Sequence, residues 1–356
     1  MFHRRILKYI LAFVSPVITW ISFDYSGAMA FIPVIYAFAL IPALELLIKP
    51  DHSNISETEE KIFENTKLFD VLLYLMVPTQ FLILGKFLLI MHAAAGWTTT
   101  ETGHLLSMGL LCGIIGINVA HELGHRSTAF EKFLAKSLLL TSLYMHFFIE
   151  HNRGHHKRVA TPDDPASARI GESLYAFWIR TIYSSYRSAW NLEKHKLAKI
   201  GQSFWSMQNE MIRFHIIQIL FVATIWYFFG AFAVMAFILA ALIGILLLET
   251  VNYIEHYGLS RQPNEKGAYE KVMHYHSWNS DHLLGRLLLF ELSRHSDHHY
   301  KASKPYQLLN SWEESPQMPT GYPGMMLLTL IPPLWFAIMN RKIELLNQKF
   351  PVKANN

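Results

Sequence analysis

The stretch HLLSMGLLCGIIGINVAHELGH, residues 104–125, decides how the rest of the chain is read. Residues 104–120 contain no Asp, Glu, Lys or Arg. They approach the ~20 residues that a helix needs to cross a bilayer. The run ends in His121-Glu122-Leu123-Gly124-His125. Residues four apart on a helix share a face, so His121 and His125 point the same way. The end of a membrane helix thus delivers two imidazoles on one face. Further apolar stretches lie at 6–23, 28–48, 70–94, 214–230 and 232–250. The expected fold class is an all-α membrane protein: a six-transmembrane-helix bundle with a cytoplasmic helical cap that carries the histidines.

Composition agrees. Of 356 residues, 52% are hydrophobic and 16% charged, against about 25% charged in soluble chains. Mean hydropathy is +0.20. Net charge is +4, with no basic run interleaved with aromatics, so no nucleic-acid partner is expected. The single cysteine, Cys112, excludes a disulfide framework. It also excludes a rubredoxin, ferredoxin or zinc-ribbon module, each of which needs about four sulfurs. The N-terminus, Met-Phe-His-Arg-Arg, runs into an apolar stretch without a small-residue cleavage site, and reads as a retained first helix.

Charge sets the expected orientation. The connections 24–27, 96–103 and 229–231 carry no Lys or Arg. The 50–68 connection, 121–213 and the C-terminal third carry most of them, and are cytoplasmic by the positive-inside rule. Lys86 is the exception, expected to reach the outer interface. The organisation is then 1–120 as four spans, 121–213 as a histidine-bearing segment, 214–250 as a helical hairpin and 251–356 as the closing segment. The apolar runs 133–149 and 325–339 are not expected to span. The first lies between two histidine clusters, and the second is short and contains Pro332-Pro333.

Nine of the 19 histidines fall in four clusters. They are His121 and His125; His151, His155 and His156 in EHNRGHH; His256 in NYIEHYGL; and His295, His298 and His299 in RHSDHH. Spacing of four pairs His121 with His125, His151 with His155, and His295 with His299. His298 is expected on the His295 face. His156 is turned about a quarter circle from His155, so adjacent histidines can serve different metals. Imidazole is the commonest ligand for Zn, Cu, Fe and Ni. Nine exceed the coordination number of one ion, which points to two. Glu122, Glu150, Glu255 and Asp297 are placed to hydrogen-bond the outer ring nitrogens; Asp163 and Asp164 are open to the same reading. The other histidines read as packing or surface residues, with His274, His276 and His282 as candidates for supporting roles.

At these four motifs, over roughly residues 118–309, the sequence resembles the integral-membrane alkane 1-monooxygenases, relatives of the fatty acid desaturases. The three-residue gap between His151 and His155 and the His256 motif match the alkane hydroxylase branch. The resemblance implies a six-helix membrane fold and a non-haem diiron site held by His121, His125, His151, His155, His156, His256, His295, His298 and His299. It implies hydroxylation of a terminal alkane carbon with O2 and two electrons, and a bacterial inner-membrane location. Electrons come from NAD(P)H through a rubredoxin reductase and a rubredoxin, both separate proteins, with no haem or flavin in this chain. Lys157, Arg158, Lys301 and Lys304, with Arg126, Arg153 and Arg294 nearby, are candidate docking residues for an acidic donor. Arg153 and Arg294 are alternatively structural. Tyr36, Phe38, Phe81 and Phe87 are candidate channel residues by size and place.

Three other readings compete. Related aromatic side-chain hydroxylases and desaturases carry similar motifs. HELGH is also H-E-x-x-H, the zinc hydrolase pattern with Glu122 as base, but it leaves seven clustered histidines unexplained. A metal transporter would hold its ligands near the membrane midplane rather than beyond the spans.

Overall fold

The computed structural model describes residues 2–263 and 267–349. Among these there are helices and two isolated β-bridges but no strand. The chain begins with α1 (Arg5–Ser22), α2 (Gly27–Leu47), α3 (Leu68–Ala93) and α4 (Thr99–Gly124). Two shorter helices follow, α5 (Ala129–Leu140) and α6 (147–158), then α7 (Leu174–Lys199) and the long α8 (Glu210–His256). Beyond a polar loop come α9 (His295–Tyr300), α10 (Tyr322–Thr329) and α11 (Pro332–Lys349).

Five helices, α1 to α4 and α8, are long and apolar enough to cross a membrane. The expected stretches 214–230 and 232–250 are joined in α8. Straight, its 47 residues would measure about 70 Å, more than twice the bilayer core. It is not straight. Gly230 has φ 78° and ψ 177°, a backbone region open almost only to glycine. Past it the chain doubles back, and the Phe221 ring lies 5.6 Å from that of Phe237. Cβ-free packing matters once more at Gly244, where a side chain would meet Cys112 Cβ at 2.5 Å. In lipid, such close backbone approach supplies the association that hydrophobic burial cannot. The Gly244–Cys112 contact joins α8 to α4, the central helix, whose apolar window is 83% buried against 28–44% in the other four.

The connections sort to two ends. At one, Gly27 N donates to Thr100 Oγ1, and His92 Nδ1 meets Phe229 O at 2.9 Å. Lys86 lies there too, paired with Asp24 at 2.6 Å and set over the Trp20 ring. At the other, Arg5 pairs with Glu59, and Tyr9 donates to Glu291 of the cap. The run 133–149 holds no helix long enough to cross. Its 12-residue helix α5 is only about 18 Å long. The following turn packs under α4, with Ser142 Oγ donating to Cys112 O. The run 325–339 is broken before Pro332 and packs Met325, Trp335 and Met339 against Tyr253, Tyr257 and Trp278.

A side chain at residue 230 has open space but a strained backbone. Gly230→Ala is therefore expected to cost ~1–3 kcal/mol, seen as a lower thermal midpoint in detergent with unchanged helical content. An unshifted midpoint would show that the turn relaxes.

Candidate metal centre

Four elements carry the clustered histidines to one place. His121 and His125 sit at the end of α4, and His256 is the last residue of α8. His151, His155 and His156 lie on α6, and the rest on α9. Their ring nitrogens form two groups. His121, His125, His151, His156 and His298 are one; His155, His256, His295 and His299 are the other. Within each group the candidate donor atoms lie within 4.8 Å of one another. In the five-histidine group the Nε2 separations include 3.0 Å for His121–His298, 3.1 Å for His125–His151 and 2.9 Å for His151–His156. In the four-histidine group, His155–His299 and His256–His295 are each 3.2 Å apart.

These distances test the donor set. Ligand nitrogens ~2.1 Å from an ion in octahedral array stand about 3.0 Å apart along each edge. Burial, reinforced by adjoining imidazoles, holds His151, His156 and His299 well below the usual histidine range. Neutral rings leave lone pairs to face an ion. The residues present fit metal binding at both groups.

The pairing differs from helix arithmetic in two places. Residues His151–His155 form a π-turn, and His156 N donates to His151 O, five residues back. Residues five apart then align. His151 joins His156 rather than His155, which turns to the other group. On α9, His298 joins the five-histidine group while His295 and His299 stay with the four. The adjacent pairs His155–His156 and His298–His299 thus each serve both groups, and His156 and His299 stack 4.5 Å apart across them.

The carboxylates are also placed differently from expectation. Asp164 takes the outer nitrogen of His155, with Nδ1 to Oδ2 at 2.9 Å and both groups buried. Burial alone would lower His155, but the Asp164 charge and hydrogen bond raise it. Glu122 instead accepts from Arg126 at 2.8 Å and from Tyr306 N at 3.2 Å. Both bonds fall on Oε1 and turn the carboxylate toward Arg126. Glu150 accepts from Arg158 at 2.6 Å and Ser188 at 3.2 Å. Burial and then Asp164 push it up to about 7. Asp297 accepts from Lys304 at 2.7 Å, Asn310 N at 2.8 Å and Trp312 Nε1 at 2.8 Å. Burial opposes its ionisation, but His274, Lys304 and Asn310 N bring it down to about 2. Glu255 faces inward: one oxygen is 3.1 Å from His295 Nε2 and the other accepts from Tyr322 at 2.7 Å.

A narrow cavity of about 100 Å³ ends on this centre. Apolar residues such as Leu110, Ile114, Leu248 and Leu288 line it, and His121, His151, His295 and Glu255 close its end. Of the candidate channel residues, Tyr36 and Phe38 line it. Phe87 is buried in the core among the helices, with Phe81 packed against that core, and neither lines the cavity.

The comparisons with known proteins address the same residues. The family model for fatty acid desaturase matches residues 95–329, which include every clustered histidine. Alkane 1-monooxygenase 1 of Pseudomonas aeruginosa is 38% identical over 340 residues, 94% of this chain and 89% of the relative. This chain belongs to the alkane 1-monooxygenases, within the fatty acid desaturase family. Alkane 1-monooxygenase 1 of Alcanivorax borkumensis is 37% identical over 86% of this chain and 76% of the relative. The hydroxylase component of the xylene/toluene monooxygenase of Pseudomonas putida is 30% identical over 67% of this chain and 63% of the relative.

In this family member the basic residues around the centre fall into two sets. Arg158 and Lys304 are tied to Glu150 and Asp297, Arg153 to Glu193, and Arg126 to Glu122 and Asp70. Arg294 is buried, donating to Leu309 O and Ser53 O. Lys157 and Lys301 are exposed. Of the loop histidines, His276 pairs with Glu270 and His282 with Ser280. The Asp164–His155 contact predicts that Asp164→Asn lowers metal affinity by about 10–100-fold. Metal content after dialysis against graded chelator measures this, and wild-type retention throughout would deny Asp164 the role.

Proposed function

We propose that this chain is a membrane-bound diiron monooxygenase that converts alkanes to 1-alkanols. The observation that carries the reading is the pairing of two imidazole groups with the closed end of an apolar cavity, in a chain of this family. One iron would be held by His121, His125, His151, His156 and His298, the other by His155, His256, His295 and His299. Such a pair supplies the capacity to activate O2 with two electrons. The overall balance is R–H + O2 + 2e⁻ + 2H⁺ → R–OH + H2O.

The protein's share is positioning and exclusion. The cavity walls are mostly apolar, so an alkyl chain would fill them with its end held against the histidines. Asp164 fixes the tautomer and aim of His155. Tyr322 holds Glu255 beside His295 at the cavity end. An alkane partitions into the bilayer, so a cavity between membrane helices receives it without passage through water.

Six crossings are proposed, with the arms of α8 counted separately and the histidine end cytoplasmic in a bacterial inner membrane. The charge asymmetry of the connections supports this orientation. Electrons are proposed to come from a rubredoxin and its NAD(P)H-dependent reductase.

Protein purified without metal stripping is expected to hold two Fe per chain. With rubredoxin and its reductase it should turn octane into 1-octanol, read by mass spectrometry. His256→Ala is expected to abolish the product and lower the iron content. One Zn per chain with activity retained would end the diiron reading. Reporter fusions at Gly27, Thr100 and Gly230 should read periplasmic, and one after Ser203 cytoplasmic; the reverse would overturn the orientation.

A further inference from the structure

We infer that electrons enter through an aromatic stack, Trp312–His274–Tyr300, and that a small one-electron carrier protein docks on it. The inference rests on the metal centre proposed above. Seven of the nine histidines are buried and His125 and His156 partly so, which leaves little imidazole surface open to a protein donor. The chain's single thiol, Cys112, is buried. Reduction therefore needs a surface feature connected to both histidine groups by a short path.

The stack has those connections. The His274 ring lies 4.2 Å from that of Tyr300 at 28°, and 4.4 Å from that of Trp312 at 22°. It is a buried imidazole between two aromatic plates, and nothing in the proposed metal centre uses it. Tyr300 directly follows His299, of the four-histidine group. Trp312 Nε1 donates to Asp297 at 2.8 Å, and Asp297 directly precedes His298, of the five-histidine group. His274 Nε2 stands 3.4 Å from the same Asp297. One stack thus reaches each group through a single peptide link, with or without one hydrogen bond.

The stack also has the makings of a docking site. Tyr300 is 50% exposed and Trp312 39%. Both lie outside the membrane-spanning helices. Exposed Lys301, Glu313 and Glu314 adjoin them in sequence. Aromatic side chains ringed by polar ones are the common anatomy of a protein–protein contact, and Trp and Tyr most often dominate its energy. Each encounter passes one electron: the carrier is oxidised by one unit and the centre reduced by one. Two encounters supply the pair that the balance requires, while both protons come from solvent.

The test uses iron-loaded full-length enzyme in detergent, with reduced rubredoxin as the probe and no alkane present. Oxidation of the probe is followed anaerobically by its visible absorbance. Dithionite reduction is followed in parallel, and iron is counted. Trp312→Ala and Tyr300→Leu are each expected to slow the probe reaction by about tenfold or more, the scale of losing a binding hot spot. Dithionite reduction and iron content should stay at wild-type values, and Trp312→Tyr should recover most of the rate. Probe rates within about twofold of wild type in both variants would overturn the inference. So would parallel loss of dithionite reduction and iron, which marks a structural role. Reduced partition of the variants onto anionic vesicles, with probe rates unchanged, would assign the patch to the membrane instead. Octane hydroxylation is scored separately, so a chain that takes electrons without making alcohol would fail the proposed function and not this inference.

Discussion

Nine imidazoles turned toward two points are the constraint on which the rest of the protein depends. Nitrogen lone pairs buried about 3 Å apart repel one another unless a cation, or the ring N–H of one tautomer, stands between them. Gathering them suits them to hold metal, and it requires elements distant in sequence to end at one place. The inner end of α4, the last residue of α8, helix α6 and helix α9 meet there. The surrounding carboxylates and arginines make the gathering tolerable. Asp164 holds His155, while Glu122, Glu150 and Asp297 accept from Arg126, Arg158 and Lys304 just outside the rings.

Helix irregularities concentrate on the path from membrane to centre. Tyr36–Leu40, Cys112–Ile117 and His151–His155 are all π-turns. The first contributes Tyr36 and Phe38 to the cavity wall, and the second Gly113 and Ile114. The third exchanges the partners of His151 and His155. An i→i+5 turn costs backbone geometry and is kept mostly where function needs a side chain re-aimed. Here it lets three histidines within six residues serve two imidazole groups.

The segment beyond α8 is fastened to the preceding helices by buried polar and charged groups as well as by apolar area. Glu291 accepts from Tyr9 on α1 and from Arg286 in the cap. Arg294, one residue before the first α9 histidine, reaches Ser53 O and Leu309 O. Glu45 on α2 accepts from Gly285 N. Removing one partner of such a group leaves the other unpaired and buried, a costly state. These contacts therefore specify where α9 sits, and with it three of the nine ligand candidates.

The sequence by itself determined an all-helical chain with helices apolar enough to cross a membrane, and the nine clustered histidines, because both signals are one-dimensional. Bilayer thickness demands length, and a rare residue type in four clusters is visible without coordinates. It also placed 133–149 outside the spans, since one crossing would have parted the clusters. Tertiary structure decided the grouping of His151 with His156 and of His298 away from His295. Those assignments depend on a π-turn and on how a short helix packs, and neither leaves a spacing signature. It decided too that Asp164, rather than the four carboxylates beside the motifs, takes an outer ring nitrogen. Adjacency in sequence says nothing of which way a buried carboxylate turns once an arginine competes for it. The cavity lining was illegible for a related reason: lipid-facing and cavity-facing positions of a membrane helix are equally apolar, and only packing distinguishes them.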